Sequence, residues 1–225
     1  MSRHPLVQSA FDLPGMRKSF DAFLGRRPAR PDSIGSLMSR EQIPRLLDDL
    51  KLLGSGVEVG VQSGVFSEAI LEYWTGRRLI SIDPWAEAAA ADYVDIANVD
   101  TASHETLYGD TLRRLRRFGE RSEVWRMTGS EASILIGPDS LDFAYLDARH
   151  DLRSVQQDIS DWWPTIRPGG ILAGHDYLDG RLPAGEFGVK SAVDAFADSV
   201  GLQVFTTKEP RWKSWLLRKP TTLGQ

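Results

Sequence analysis

The fold of this chain is decided by one stretch, Gly56-Val57-Glu58-Val59-Gly60-Val61-Gln62-Ser63-Gly64. Its first half is a short apolar run, and its second half contains glycines that let the backbone turn sharply. A helical pattern of apolar residues follows near residues 64–75. A buried strand that passes through a glycine turn into a helix is typical of an α/β fold with a parallel sheet.

The same alternation repeats along the chain. Further apolar runs lie at residues 79–83, 123–127, 141–147 and 170–175, and helical patterns lie between them, near 103–118, 130–136, 152–166 and 188–200. Short buried strands that alternate with helices predict βαβ units. Because such crossovers are right-handed, we expect helices on both faces of the sheet.

The end of the chain breaks this alternation. Two strand-like runs, 202–207 and 212–218, are separated by residues 208–211 alone. Four residues cannot hold a crossover helix, so these strands must form an antiparallel hairpin. We therefore predict a doubly wound α/β sheet of seven strands, six parallel and one antiparallel.

The rest of the chain is predicted to surround this sheet as one domain over residues 37–225. Residues 1–36 are rich in Pro, Gly, Arg and Ser, which predicts an accessory segment or lid. Residues 178–187 are predicted to form a loop over the pocket, and residues 86–102 a second, helical lid.

The composition narrows the classes of function. The chain has 225 residues, is 41% hydrophobic and carries a net charge of −4, which argues against a nucleic-acid partner. It has no cysteine, and so no disulfide. It has no apolar run long enough to span a membrane, and Asp12 and Pro14 interrupt any signal peptide. We expect a cytoplasmic location. The oligomeric state is left open, and a homo-oligomer is among the arrangements allowed.

The glycine turn has the spacing E-x-G-x-x-x-G, from Glu58 through Gly60 to Gly64. A dinucleotide fingerprint needs G-x-G-x-x-G, and its second glycine is missing here. A carboxylate at Glu58 would repel a pyrophosphate but suits a ligand with an amino group and a positively charged sulfur. Asp83 ends the next strand, where an acid can accept hydrogen bonds from both hydroxyls of a ribose. After the third strand, Ser130 is predicted to be the N-cap of a helix.

Polar clusters follow the fourth and fifth strands. Asp147 and His150 come after one apolar run, and His175 and Asp176 come after the next. Ligands of open α/β sheets bind outside the carboxyl ends of the strands, and neighbouring strands lie about 5 Å apart. The side chains of Asp147, His175 and Asp176 are therefore predicted to be able to share one metal ion.

These motifs resemble those of class I S-adenosylmethionine-dependent methyltransferases. The resemblance covers about residues 37–219 and is greatest to the bacterial branch that includes the macrocin-type sugar O-methyltransferases. The segments that match that branch are Asp147 to His150, Pro168 to Gly170, His175-Asp176-Tyr177 and Gly188 to Val193.

The resemblance implies that S-adenosylmethionine is the cofactor and a small hydroxylated molecule, of sugar or natural-product type, the methyl acceptor. The cofactor-binding residues it implies are Glu58, Gly60, Gln62, Gly64, Asp83, Ser130 and Asp147. It also implies a divalent metal, usually magnesium, at Asp147, His175 and Asp176. Relatives often have two adjacent acids where this chain has His175-Asp176, and a nitrogen ligand suits manganese, iron or zinc better.

Several alternatives remain at this point. His150 is the expected base if His175 binds metal, and His175 is the expected base if no metal is present. A metal-independent methyltransferase would use the acidic residues to contact the substrate directly. A non-catalytic module would bind S-adenosylmethionine without turnover. A nicotinamide oxidoreductase is disfavoured by the missing glycine and by the terminal hairpin.

Overall fold

The computed structural model describes residues 28–88 and 97–221. Its strands in chain order are β1 (Ser55–Val59), β2 (Arg78–Ile82), β3 (Ser122–Trp125), β4 (Leu141–Leu146), β5 (Ile166–Gly174), β6 (Asp179–Leu182), β7 (Gly185–Gly188), β8 (Phe205–Thr206) and β9 (Trp215–Arg218). Seven of them form one sheet in the order β3-β2-β1-β4-β5-β9-β8, and β6 and β7 form a separate hairpin.

Helices connect the strands of the large sheet. The α-helices are α1 (Ile43–Asp49), α2 (Val65–Tyr73), α3 (Thr101–Leu115), α4 (Gly129–Ile134), α5 (Leu152–Trp162) and α6 (Val189–Val200). Short 3₁₀ turns lie at Ile34–Ser36, Arg40–Gln42, Arg116–Arg121 and Trp163–Thr165. Within the part of the chain described, no helix has the length and apolar character needed to cross a membrane.

Strand directions confirm the predicted fold. Parallel pairs join β1 to β2 and β4, β2 to β3, and β4 to β5. β9 runs antiparallel to β5 on one side and to β8 on the other, so it is the one reversed strand of the seven. The terminal hairpin is confirmed, but its strands are shorter than predicted. The backbone nitrogen of Thr207 donates to the carbonyl of Ser214, and Trp212, predicted to begin the second strand, has a left-handed φ of +53° and lies before β9.

The sheet is buried on both faces. Every residue of β1 is buried, and Val57 and Val59 pack in a core cluster with residues of α5 and α6. The opposite face, which includes Phe143 and Tyr145 of β4, packs against residues of α1 and α2. Burial on both faces explains why the strands appear in the sequence as continuous apolar runs rather than as alternating ones.

The segment predicted as a loop at residues 178–187 is the β6–β7 hairpin, so that prediction was wrong in part. Asp179 anchors its first strand because the carboxylate accepts hydrogen bonds from the backbone and hydroxyl of Ser191 at 3.0 and 2.8 Å. The four residues of β6 are exposed, so no alternating apolar pattern marks it. Of the two other predicted lids, residues 1–27 of the first and residues 89–96 of the second lie outside the described residues. The predicted helix of the second lid is not present in its described residues 86–88 and 97–100, which precede α3.

Candidate active site

The glycine turn after β1 packs directly on the end of β4. Gly60 has a φ of +88° and Gly64 a φ of +76°, conformations that favour glycine. A Cβ atom at Gly60 would overlap the backbone carbonyl of Asp147. The backbone nitrogen of Asp147 also donates to the carbonyl of Val59 at 2.7 Å. Glycine at position 60 is therefore required both for the turn and for the approach of β4.

Asp83 holds this turn closed. Its Oδ2 accepts hydrogen bonds from the backbone nitrogens of Val61 at 2.9 Å and Gln62 at 3.0 Å. Its Oδ1 accepts from the backbone nitrogen of Trp85 at 2.7 Å. The carboxylate thus provides hydrogen-bond acceptors for backbone N–H groups that would otherwise lack partners. Its contact with a ribose stays a prediction.

Gln62 is the exposed residue of the turn and has a φ of +54°. Its carbonyl accepts hydrogen bonds from Nε1 of Trp85 at 2.7 Å and from Oγ1 of Thr111 at 3.1 Å. Trp85 is almost fully buried and packs on Tyr108, with ring centroids 4.9 Å apart. In this structure Trp85 is a packing residue behind the turn.

Glu58 lies within β1, and its side chain is buried. It is 2% exposed, its carboxylate accepts a hydrogen bond from the hydroxyl of Ser67, and Ser67 in turn accepts one from Ser81 at 2.9 Å. Burial raises the pKa of Glu58 to about 8, although the Ser67 hydrogen bond opposes the shift. The predicted contact of Glu58 with the cofactor is untested.

The N-cap of the helix after β3 is Thr128, so the prediction that Ser130 is its N-cap was wrong. The Thr128 hydroxyl accepts a hydrogen bond from the backbone nitrogen of Glu131. The backbone nitrogen of Thr128 donates in return to the carboxylate of Glu131, which completes a capping box. The T-x-x-E spacing of these residues could have identified the cap. Ser130 instead donates its hydroxyl hydrogen bond to Asp161 of α5 at 2.8 Å.

The predicted catalytic residues come together at the carboxyl ends of β4 and β5. Nδ1 of His175 lies 2.8 Å from Oδ1 of Asp176. Nε2 of His150 lies 3.2 Å from Oδ2 of Asp176 and 3.6 Å from Oδ1 of Asp147. Asp176 adopts a φ of +53°, in the left-handed region that Asp enters more readily than most residues.

Asp147, His175 and Asp176 also satisfy a basic requirement of a metal site. Each offers one ligand atom, and these three atoms lie within 4.8 Å of one another. His175 and Asp176 are 8% and 7% exposed. Two carboxylates and one imidazole are a donor set suited to manganese, iron or zinc more than to magnesium. The residues present therefore fit a divalent transition metal.

His150 is fixed by the β6–β7 hairpin. The backbone nitrogen of Gly188 donates to the carbonyl of His150 at 2.8 Å. The ring of Phe187 stacks on the imidazole at 5.1 Å between centroids, and Trp212 contacts the ring of Phe187 at 5.6 Å. The hairpin thus orients one of the two candidate bases and forms an aromatic wall beside it.

Arg40 is a site residue that the sequence reasoning missed. Its Nη1 lies 3.1 Å from Oδ2 of Asp147, although the two residues are 107 positions apart. Burial alone would raise the pKa of Asp147, but His175, His150 and Arg40 keep it below its usual range. Arg40 stands in a short 3₁₀ turn before α1, and no motif marks it.

Asp158 of α5 is a second residue that the sequence analysis missed. It is 6% exposed and lines a small cavity together with His150, His175 and Trp215. Burial raises its pKa to about 7, although the charge of Arg149 opposes the shift. A carboxylate at a buried position of an amphipathic helix has no sequence signature that separates it from an exposed one.

A mostly parallel seven-stranded sheet with one reversed strand next to its edge, a glycine turn after β1 and acids after β2 and β4 defines a Rossmann-like methyltransferase fold. The profile of the family described as "Methyltransferase domain" matches residues 57–177. The chain therefore belongs to this family of methyltransferase domains. No curated protein sequence matches it significantly.

Solved structures share this fold at low sequence identity. A Corynebacterium glutamicum protein is 16% identical with a TM-score of 0.57, covering 100% of this chain and 94% of the other. An O-methyltransferase from Bacillus cereus, solved in complex with SAH, is 12% identical with a TM-score of 0.54, covering 97% and 93%. A Clostridium thermocellum protein described as a putative rRNA methylase is 14% identical with a TM-score of 0.58, covering 81% and 96%.

Proposed function

We propose that this chain is an S-adenosylmethionine-dependent O-methyltransferase that acts on a small hydroxylated acceptor with the assistance of a divalent metal. The observation that carries the proposal is the cluster of Asp147, His150, His175 and Asp176 beside the glycine turn. Ligands of open α/β sheets bind at this edge, outside the carboxyl ends of the strands. The C. glutamicum and B. cereus structures support the fold on which the proposal rests.

The cofactor supplies a methyl group on a positively charged sulfur, and the chain must bind and orient both reactants. Gly60, Gly64 and Asp83 shape the turn against which the cofactor would lie. Because Gly60 packs against the backbone of Asp147, this turn lies next to the proposed catalytic cluster. Holding two reactants in line is itself a large part of catalysis, because it removes the entropic cost of their encounter.

The acceptor hydroxyl must lose a proton, and His150 is the base we propose. Nε2 of His150 lies 3.2 Å from Oδ2 of Asp176 and 3.6 Å from Oδ1 of Asp147, so a hydrogen on Nε2 faces these carboxylates and Nδ1 is the nitrogen that takes the proton of the acceptor. These negative charges stabilise the protonated ring. Phe187 and Gly188 fix its orientation, which a general base requires.

Asp147, His175 and Asp176 are the residues that would hold the metal. A divalent ion there supplies Lewis acidity, which lowers the pKa of a hydroxyl bound to it. His150 then remains available to take the proton, since it lies outside this ligand set.

A metal-independent methyltransferase is the second candidate, and one observation favours it. The two carboxylates of the cluster are already surrounded by Arg40, His150 and His175. The fixed positive charge of Arg40 and the N–H donors of the two imidazoles let the cluster exist without an ion. The acidic residues would then bind the acceptor hydroxyls directly.

Isothermal titration with S-adenosylhomocysteine tests the cofactor part of the proposal. We expect binding to the full chain, and an absence of binding would overturn the proposal at its base. Methyl transfer to a panel of sugars and phenols, with and without exhaustive chelation, tests the metal part. Loss of transfer on chelation and its recovery with manganese are expected, whereas transfer unchanged by chelation would favour the metal-independent enzyme.

A further inference from the structure

We infer that Arg40 and Asp147 together form the binding site for the amino-acid end of the cofactor, with Arg40 binding its carboxylate and Asp147 its ammonium group. This inference rests on the proposed binding of S-adenosylmethionine. It assigns a cofactor contact to Arg40, which lies outside the part of the chain that matches the family profile.

Arg40 is held firmly in its position. Its side chain is only 13% exposed, and its guanidinium lies over the ring of Phe66, with Cζ 4.9 Å from the ring centroid. A guanidinium is charged at any physiological pH, and the packing of this side chain leaves it little freedom to lose on binding a ligand.

The pair lies where the glycine turn after β1 meets the end of β4. Asp147 follows β4 directly, and its carbonyl is the group that a Cβ atom at Gly60 would overlap. Its backbone nitrogen donates to Val59, the last residue of β1. A ligand that lies along the glycine turn therefore has one of its ends beside Asp147 and Arg40.

The charges of the pair match those of an α-amino acid. A guanidinium presents five N–H donors in a planar fork and can bind two carboxylates, here Asp147 and that of the ligand. Oδ2 of Asp147 contacts Arg40, whereas Oδ1 is the oxygen nearest to His150 and His175. An ammonium bound beside Arg40 and a metal bound beside the histidines thus use different oxygens of the same carboxylate.

The inference is tested by comparing two ligands that differ only at this end. S-adenosylhomocysteine has the amino-acid group, and 5′-methylthioadenosine keeps the adenosine and the thioether without it. We expect Arg40→Met to weaken the binding of S-adenosylhomocysteine by about tenfold to a hundredfold, the range for a lost hydrogen bond to a charged group. Binding of 5′-methylthioadenosine should change by less than about twofold.

Two further variants complete the experiment. Arg30→Met is the matched control, because Arg30 is exposed and pairs at the surface with Asp49, and it should leave both affinities unchanged. Arg40→Lys keeps the charge without the fork and should give an intermediate loss for S-adenosylhomocysteine, and it replaces Arg40→Met if that variant does not fold.

The outcomes separate this inference from the proposed function. If Arg40→Met weakens both ligands equally, or neither, Arg40 only stabilises Asp147 and the inference is wrong. If the unmodified chain binds neither ligand, the proposed cofactor is wrong, and this inference falls with it. A selective loss of S-adenosylhomocysteine binding supports both the inference and the proposed cofactor.

Discussion

The two halves of the candidate site are built in different ways. The half at the ends of β1 and β2 is made of backbone, since Asp83 accepts three hydrogen bonds from main-chain nitrogens and the glycines adopt left-handed conformations. The half at the ends of β4 and β5 is made of side chains, which contact one another at 2.8 to 3.6 Å. Substitutions in the first half should therefore change stability, and substitutions in the second should change turnover.

The largest expected effect is on turnover in the side-chain half. His150→Gln removes the proposed base but keeps a polar side chain of similar length, and we expect methyl transfer to fall by about 10²- to 10⁴-fold. The affinity for S-adenosylhomocysteine, measured by titration calorimetry, should stay within about threefold. Full activity of this variant would exclude His150 as the base and leave His175 as the candidate.

In the backbone half, Gly60→Ala should destabilise the chain by roughly 3 kcal/mol or more. The new Cβ would sit at a left-handed φ and against the Asp147 carbonyl. Chemical denaturation measures the loss. The control is Gly109→Ala in α3, where a Cβ meets no atom within 4 Å and should stabilise the helix by about 0.5–1 kcal/mol. If the two variants were equally stable, the close packing of Gly60 against the Asp147 carbonyl would be contradicted.

The pH dependence of stability should report on Glu58. Its pKa is about 8 in the folded chain, above the ordinary value of 4.5, so the folded state binds its proton more tightly. This contribution is fully present below pH 4.5 and is lost as the pH rises through 8. At about 1.4 kcal/mol per pKa unit, the loss is on the order of a few kcal/mol.

The comparison with Glu58→Gln isolates that contribution, because glutamine does not titrate. Between pH 5 and pH 8.5, the free energy of unfolding of the unmodified chain should fall further than that of the variant. Parallel curves for the two proteins would show that Glu58 is charged in the folded state.

The smallest expected effect distinguishes Thr128, the N-cap of α4, from Ser130, the predicted cofactor contact. Thr128→Ala should cost about 1 kcal/mol of stability, since it removes the N-cap of α4. Ser130→Ala, which removes only the hydrogen bond to Asp161, should cost less. Thermal denaturation of both variants measures the difference, and a larger loss at Ser130 would contradict the assignment of the cap.

The sequence predicted the sheet and most of the candidate catalytic cluster for the same physical reason. Parallel strands end at one edge of a sheet, so residues that follow apolar runs, such as Asp147 and Asp176, must meet there. Arg40 could not be found in this way, because nothing in its surroundings relates it to a residue 107 positions later. The cap at Thr128, in contrast, has a local sequence signature, because Glu131 follows it at the spacing of a capping box.

The β6–β7 hairpin has a consequence for how this protein can diverge. It forms its own two-stranded sheet and shares no ladder with the large one, yet its Phe187 contacts His150. Exchange of residues 180–187 would therefore change the aromatic wall beside His150 and leave the glycine turn after β1 intact. Gly188 must be kept, since a Cβ there would come within 2.7 Å of the backbone of Leu152. Under the proposed function, substitutions in the hairpin would change the choice of acceptor.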